Sequence, residues 1–342
     1  MAVPHQSALE SVVSLQNHEA DGNASVRLSD VLFQSSVSGF QALAPLPSNV
    51  EAIEAAMAFA ACHRPHVAIF GPSGWGKSHL LHAANDRLLA HGLRPRLVAA
   101  AEWVGDAARH SSDEPLLLDN LQDCLRQPRL KQVMRLELER RVRSGGPTLV
   151  AVTAQRVDRE CRSLLPRLRE WLVEMIQPPT VEERELIVRQ MAFAENLVLS
   201  DALVSVLAAR LGGDGRTLLG SLKRLRLAGE HWSTGAATLR ALGLLNPFFA
   251  DQSSWDLREH IHRTVSREAV SSDVAPQPIS TYLMMRYAQL PEDQIALFYR
   301  QRPSDVYASV VALEGRREQD PKLTAQVSRL AIRVVESLQD EN

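Results

Sequence analysis

Between residues 66 and 153, short, mostly apolar runs take turns with longer stretches whose apolar positions recur every three or four residues. The runs His66 to Phe70, Arg96 to Ala100, Leu116 to Leu118 and Thr148 to Thr153 are too short for helices. They also lack the apolar-polar alternation of a half-exposed strand, so they predict parallel strands covered by helices on both faces. The periodic stretches 77–91 and 129–144 supply those helices. A further helix is expected after Pro47-Ser48-Asn49, with Ser48 or Asn49 as cap and Ile53, Met57 and Ala60 on one face. The pattern is that of an α/β domain.

After Pro178-Pro179 the strand signal stops and only helical periodicity remains, in 181–195, 200–211 and 216–229. Leu203, Val206, Leu207 and Leu211 form one apolar face, and Gly212, Gly213 and Gly215 break the chain before the last of these helices. Residues 232–254 contain Gly235, Gly243 and Pro247 and read as a boundary, followed by helical stretches near 254–268, 279–289, 304–315 and 321–338. Residues 1–38, rich in Ser, Val, Asn and Gln, read as a weakly structured tail. The expected organisation is a tail (1–38), an α/β domain (39–178), a small helical unit (179–235), a linker (236–253) and a second helical domain (254–342).

Composition narrows the function classes. The 342 residues are 45 % hydrophobic and 23 % charged, enough for a sizeable core, and the net charge of -2 carries no general bias toward polyanions. Cys62, Cys124 and Cys161 are scattered without a CxxC pair, which speaks against structural zinc or a disulfide scaffold and for a reducing compartment. The start of the chain has no signal-peptide pattern, and no run nears the 18 apolar residues of a membrane span. A soluble, cytoplasmic protein is expected, or a nucleoid-associated one if it holds DNA.

The most specific motif is Gly71-Pro72-Ser73-Gly74-Trp75-Gly76-Lys77-Ser78, a full match to G-x-x-x-x-G-K-[ST] between an apolar strand and a helix. Glycines let such a loop curl its N–H groups around phosphate oxygens, and the helix that follows points its positive end at the same anion. Lys77 would reach the β- and γ-phosphates of ATP or ADP, and the Ser78 hydroxyl would ligate Mg²⁺. Asp119, ending the run Leu116-Leu117-Leu118, fits the metal's second contact, although an Asp there also fits a helix cap. Asn120 follows it. An amide cannot take a proton from water, so slow hydrolysis is expected.

Gly76-Lys77-Ser78-His79-Leu80-Leu81-His82-Ala83-Ala84 resembles the signature of the DnaA and Hda family of AAA+ replication initiators and regulators. Further landmarks follow in order over roughly residues 40 to 230. Leu118-Asp119-Asn120-Leu121-Gln122 is similar to the family's acidic motif, and its Asp-Asn pair is nearer to Hda. Val152-Thr153-Ala154-Gln155-Arg156 stands where the family has its first sensor, with Gln155 in place of the sensing carboxylate. Leu165-Pro166-Arg167-Leu168 resembles the arginine-finger box, which makes Arg167 the contact to a neighbouring subunit's nucleotide. Gly215-Arg216-Thr217-Leu218 resembles the start of the lid helix, with Arg216 as second sensor. Both arginines also fit ordinary solvated faces. The resemblance implies an AAA+ P-loop domain with a helical lid.

Departures from the family shape the functional expectation. Only about Glu102 to Glu114 is available for the helical insertion with which DnaA builds its filament. Residues 254–342 resemble DnaA's helix-turn-helix domain, which Hda lacks, yet the recognition signature is replaced by Tyr299-Arg300-Gln301-Arg302-Pro303-Ser304-Asp305-Val306. From Asp256 to Asn342 there are 11 Lys+Arg against 13 Asp+Glu, and the candidates for touching DNA are Arg300, Arg302 and Ser304, with Arg316 and Arg317 nearby. A Gln-Leu motif for the sliding clamp has only a weak counterpart, Gln41-Ala42-Leu43-Ala44-Pro45-Leu46. Three readings follow: a nucleotide-dependent regulator of DnaA acting through Arg167, a DNA-binding initiator-like protein, and a helicase-loading ATPase.

Overall fold

The computed structural model describes residues 39–106, 113–154, 163–229, 231–249, 256–269 and 274–340. The expected tail over 1–38, the Gln155 sensor position and part of the 102–114 segment lie outside these described residues.

Five parallel strands form one sheet in the order β2-β3-β4-β1-β5: β1 His66–Gly71, β2 Arg96–Ala99, β3 Leu116–Asp119, β4 Thr148–Thr153 and β5 Leu172–Met175. The central strand β1 pairs with β4 (Ile69 opposite Ala151) and β5 (Ile69 opposite Glu174), and all six of its residues are buried. Helices α1 (Val50–Ala60) and α2 (Lys77–Ala90) cover one face, and α3 (Ala100–Asp106) and α4 (Pro128–Ser144) contribute to the other. The periodicity anticipated α2 and α4 to within a residue or two at each end, whereas β5 and α3 are short elements it did not mark.

Local chemistry sets the joins. At the start of α1 neither expected cap forms. The Asn49 carbonyl accepts from the Leu46 N–H at 2.8 Å and its NH₂ donates to Ala44 O, while the Ser48 N–H donates to Glu183. Met57 lies outward, and Ile53, Ala56 and Ala60 face inward. The buried Arg141 of α4 donates to Thr148 Oγ1 at 3.0 Å and to the carbonyls of Glu114 and Pro147, tying α4 to the strand entrances. Burial pulls its pKa down to about 10.

Beyond the sheet follow α5 (Val181–Ala194), α6 (Asp201–Arg210) and α7 (Gly215–Ala228). A capping box opens α5, with Thr180 and Glu183 exchanging bonds. Glu183 also holds Ser48, so one buried carboxylate joins α1's turn to the helical unit.

The linker expected over 236–253 is instead α8, Gly235–Phe249, with Leu239, Ala241, Leu242, Leu245 and Phe249 buried. The two residues read as breakers have structural roles. A Cβ on Gly243 would overlap the Ala288 carbonyl, so glycine there permits close packing, and Pro247 lies in the helix's last turn. α8 joins the helices before and after it. A single apolar cluster runs from Val188 through Leu242 to Leu338, so no seam separates the later helices from the earlier ones. Those are α9 (Leu257–Glu268), α10 (Pro276–Tyr282, widening into a π turn, Leu283–Tyr287), α11 (Glu292–Tyr299), α12 (Pro303–Gln319) and α13 (Pro321–Asp340). No helix among the described residues is long and apolar enough to cross a membrane.

Candidate phosphate-loop cleft

The loop from Gly71 to Ser78 connects β1 to α2, as the motif requires. Lys77 opens α2 and is only 6 % exposed. Its Nζ curls back on the loop and donates to the carbonyls of Gly71 at 2.9 Å and Pro72 at 2.6 Å. Burial draws its pKa down to about 8, with Asp119 opposing that shift, Arg216 adding to it and Asp214 opposing it. The end of β3 and the start of α7 therefore both act on one ammonium group. Asp119 ends β3, and its Oδ1 accepts the next residue's N–H at 2.8 Å. The short helix Leu121–Arg126 that follows has Asn120, not Asp119, at its cap position.

A cleft of about 410 Å³ opens beside the loop. Its lining combines Gly74, Gly76, Lys77, Ser78, Asn120 and Arg216 with the apolar Leu43, Ala44, Ile187, Met191 and Leu219. The wall at Ala42 is held by Gln190, whose NH₂ donates to the Ala42 carbonyl at 2.5 Å. The Gln41–Leu46 stretch is therefore part of the cleft and core: Leu43 and Ala44 line it, and Leu46 is buried.

The helical unit presses directly on the phosphate loop. Asp214 caps α7, accepting from the N–H groups of Arg216 at 2.9 Å and Thr217 at 3.3 Å. Its carboxylate occupies the space a Cβ on Gly74 would need, and Gly74 has φ +75°, a left-handed value that favours glycine. This approach brings Arg216 into the lining of the cleft. Trp75 contacts both the sheet core and the helical core, with the Arg184 guanidinium 5.8 Å above its ring and Arg184 donating to Leu211 O at 2.6 Å.

Arg167 is elsewhere. Buried Leu164 and Leu165 anchor its loop, Trp171 Nε1 donates to the Pro166 carbonyl at 2.9 Å, and the Trp171 ring lies against His66. Arg167 itself has φ +52°, points to solvent and pairs with Glu139 and Glu170, each at 3.2 Å. These hydrogen bonds, to Glu170 and then Glu139, raise its pKa. It does not line this molecule's own cleft.

In the C-terminal helices, Arg300, Arg302 and Ser304 are exposed at the turn into α12. The exposed face that continues from them is apolar: Tyr307 is 51 % and Val311 45 % exposed, Ala308 and Ala312 lie beside them, and Leu297 on α11 is 77 % exposed. The expectations for Lys77, Ser78, Asn120 and Arg216 converge on one cleft, with Asp119 acting on Lys77 from beside it. Sequence reasoning missed the Ala42–Ala44 wall, Gln190, Gln122 and Asp214. Asp214 carried a local signal, as an Asp opening a helix after a glycine pair, and Gln122 stood in the acidic motif with nothing to mark its role.

Fold and cleft together are those of a P-loop protein. In sequence and fold the chain is similar to DnaA proteins. It is 25 % identical over 302 residues to the chromosomal replication initiator protein DnaA of Desulfotalea psychrophila, covering 79 % of this chain and 62 % of that one. It is 23 % identical over 292 residues to the DnaA of Burkholderia multivorans, covering 76 % and 55 %. The chain thus spans about three-fifths of the length of these relatives. Domain III of Thermotoga maritima DnaA shares its fold at a TM-score of 0.53 and 20 % identity, covering 62 % of this chain and 96 % of that one. AMPPCP-bound DnaA from Aquifex aeolicus does so at 0.50 and 17 % identity, covering 89 % and 99 %. No family profile matches the chain.

Proposed function

We propose that the chain is a nucleotide-switched regulator of replication initiation that holds ATP or ADP with Mg²⁺ and acts on DnaA or another AAA+ subunit through Arg167. One observation carries the reading: the cleft brings Lys77, Ser78 and Arg216 together with Asn120, an amide, at the position after Asp119. Lys77 would exchange the loop carbonyls for phosphate oxygens. The donor set suits Mg²⁺: a Ser78 hydroxyl and an Asp119 carboxylate are hard oxygen ligands, and Asp119's second oxygen has no hydrogen bond among the described residues. Mg²⁺ would neutralise phosphate charge there. Asn120 accepts no proton, so the chain's own turnover is slow. Arg216 would report on the γ-phosphate. Arg167, held outward by Glu139 and Glu170, is available to a partner's nucleotide.

The test is DnaA's ATP hydrolysis with this protein added, with either nucleotide. Stimulation lost in Arg167→Ala, with that variant's own nucleotide affinity retained, is the expected result. No effect of the wild-type protein on DnaA would sink the regulator reading. Unchanged clamp binding after Gln41→Ala is also expected, since that segment belongs to the cleft wall. A second reading, DNA binding through α12, is favoured by Arg300 and Arg302, which have no carboxylate partner among the described residues. The apolar face beside them opposes it, because base edges and phosphates need donors and cations.

A further inference from the structure

We infer that Gln122 is a positioning residue: it fixes the side-chain amide of Asn120 so that its NH₂ faces the cleft, which makes the site favour ATP over ADP. The inference deepens the nucleotide reading above and rests on it.

A chain of donors and acceptors begins at the main chain. The Thr153 N–H, at the end of β4, donates to Gln122 Oε1 at 2.8 Å. A backbone N–H only donates, so the Gln122 carbonyl must face it and the Gln122 NH₂ must face away. That NH₂ lies 3.2 Å from Asn120 Oδ1. An NH₂ also only donates, so Asn120 must turn its carbonyl toward Gln122. What remains of Asn120 is its own NH₂, which has no hydrogen bond among the described residues. Asn120 lines the cleft together with Lys77, Ser78 and Arg216. The orientation of both amides is therefore set by a strand N–H that has no choice of role.

The surroundings hold this arrangement. Asn120 sits at φ +55°, a region Asn tolerates better than most residues, with its N–H on Asp119 Oδ1. Leu121 and Cys124 anchor the short helix in the core on either side of Gln122. A carboxylate at position 120 would offer an acceptor to water. The clamped amide offers a donor to anionic oxygen, and a γ-phosphate supplies an anionic oxygen that ADP lacks.

The test is Gln122→Glu, which keeps the shape and removes the donor. The substituted carboxylate still accepts from the Thr153 N–H, but it also accepts from Asn120, whose amide must then turn its carbonyl to the cleft. ATP and ADP affinities of the full chain, measured by calorimetric titration, should show the ATP-over-ADP preference falling about tenfold or more, as expected for a lost bond to a charged group. ADP affinity should stay within about twofold. The added charge is controlled by Asn120→Ala: in that background Gln122→Glu should change the preference by less than about twofold, since the two residues act as one unit. An unchanged preference in Gln122→Glu, or an equal fall in the Asn120→Ala background, overturns the inference and leaves nucleotide binding standing. A wild-type chain that binds neither nucleotide overturns the nucleotide reading and this inference with it.

Discussion

Helices α7 and α12 each carry an arginine beside their first position. At α7, Arg216 follows Asp214 and Gly215, and that corner presses into the phosphate loop at Gly74, so the arginine enters a cleft already holding Lys77 and Asn120. At α12, Arg302 precedes Pro303 and opens onto solvent, with Tyr307, Ala308 and Val311 along the exposed face beyond it. The first arginine shares its space with groups of complementary role, brought together from β1, β3 and the helical unit. The second stands on an exposed turn with Arg300, Ser304 and Asp305, and no other part of the described fold converges on it to form a cleft. A helix start becomes a site only where the rest of the fold converges on it.

The largest effect should come from the converging side. Lys77→Ala should weaken both ATP and ADP more than about 100-fold, since it removes the charge-assisted bonds to phosphate. It should leave any duplex DNA binding unchanged. Equilibrium titration with a fluorescent nucleotide reads this directly, and retained affinity would dissolve the contrast between the two helix starts.

The buried lysine also makes binding depend on pH. Its folded-state pKa is drawn from 10.5 to about 8. Between those values the unfolded chain keeps the proton and the folded chain has lost it, so Lys77's contribution to stability increases with pH across that window. Phosphate favours the ammonium form, so nucleotide binding above about pH 8 should take up a proton. Affinity should then fall by up to about tenfold per pH unit. Titrations at pH 7 and 9 in buffers of different ionisation enthalpy would detect the uptake, and its absence at pH 9 would place Lys77 outside the phosphate site. Next in size, Arg216→Ala should cost about tenfold for ATP and little for ADP, the loss of one bond to a charged group. Equal losses for both would make Arg216 a general cation and not a sensor.

Much of the cleft was legible because glycines and a lysine at fixed spacing declare a phosphate loop wherever a strand and helix flank them. The Ala42–Ala44 wall was not, since three apolar residues become a wall only when Gln190, far along the chain, binds the Ala42 carbonyl. Gln122 stands in a motif that resembles the family's, yet its role depends on the end of β4 lying beside it, a juxtaposition set by the β3-β4 pairing. The helix α8 was misread because Gly243 and Pro247 interrupt its pattern. Local rules count both as breakers, and only the nearby Ala288 carbonyl explains the glycine. Short elements such as β5 were missed because four half-buried residues carry too little periodicity to stand out.

The smallest effect is expected at the other helix start. Replacing Arg300 and Arg302 by Ala together should change affinity for duplex DNA by less than about twofold, measured by anisotropy at two salt concentrations. Each phosphate neutralised by a cation adds about 0.9 to the slope of log affinity against log salt, so two working contacts would show as a slope falling by about 2. The exposed face of α12 argues against such contacts: a helix seated in the major groove reads bases with donors and acceptors, whereas Ala308, Val311 and Ala312 offer none. A salt-dependent loss of binding in the double variant would make α12 a nucleic-acid element after all. It would also make the two helix starts equivalent in kind and give the DNA-binding reading precedence over the regulator of a partner's nucleotide.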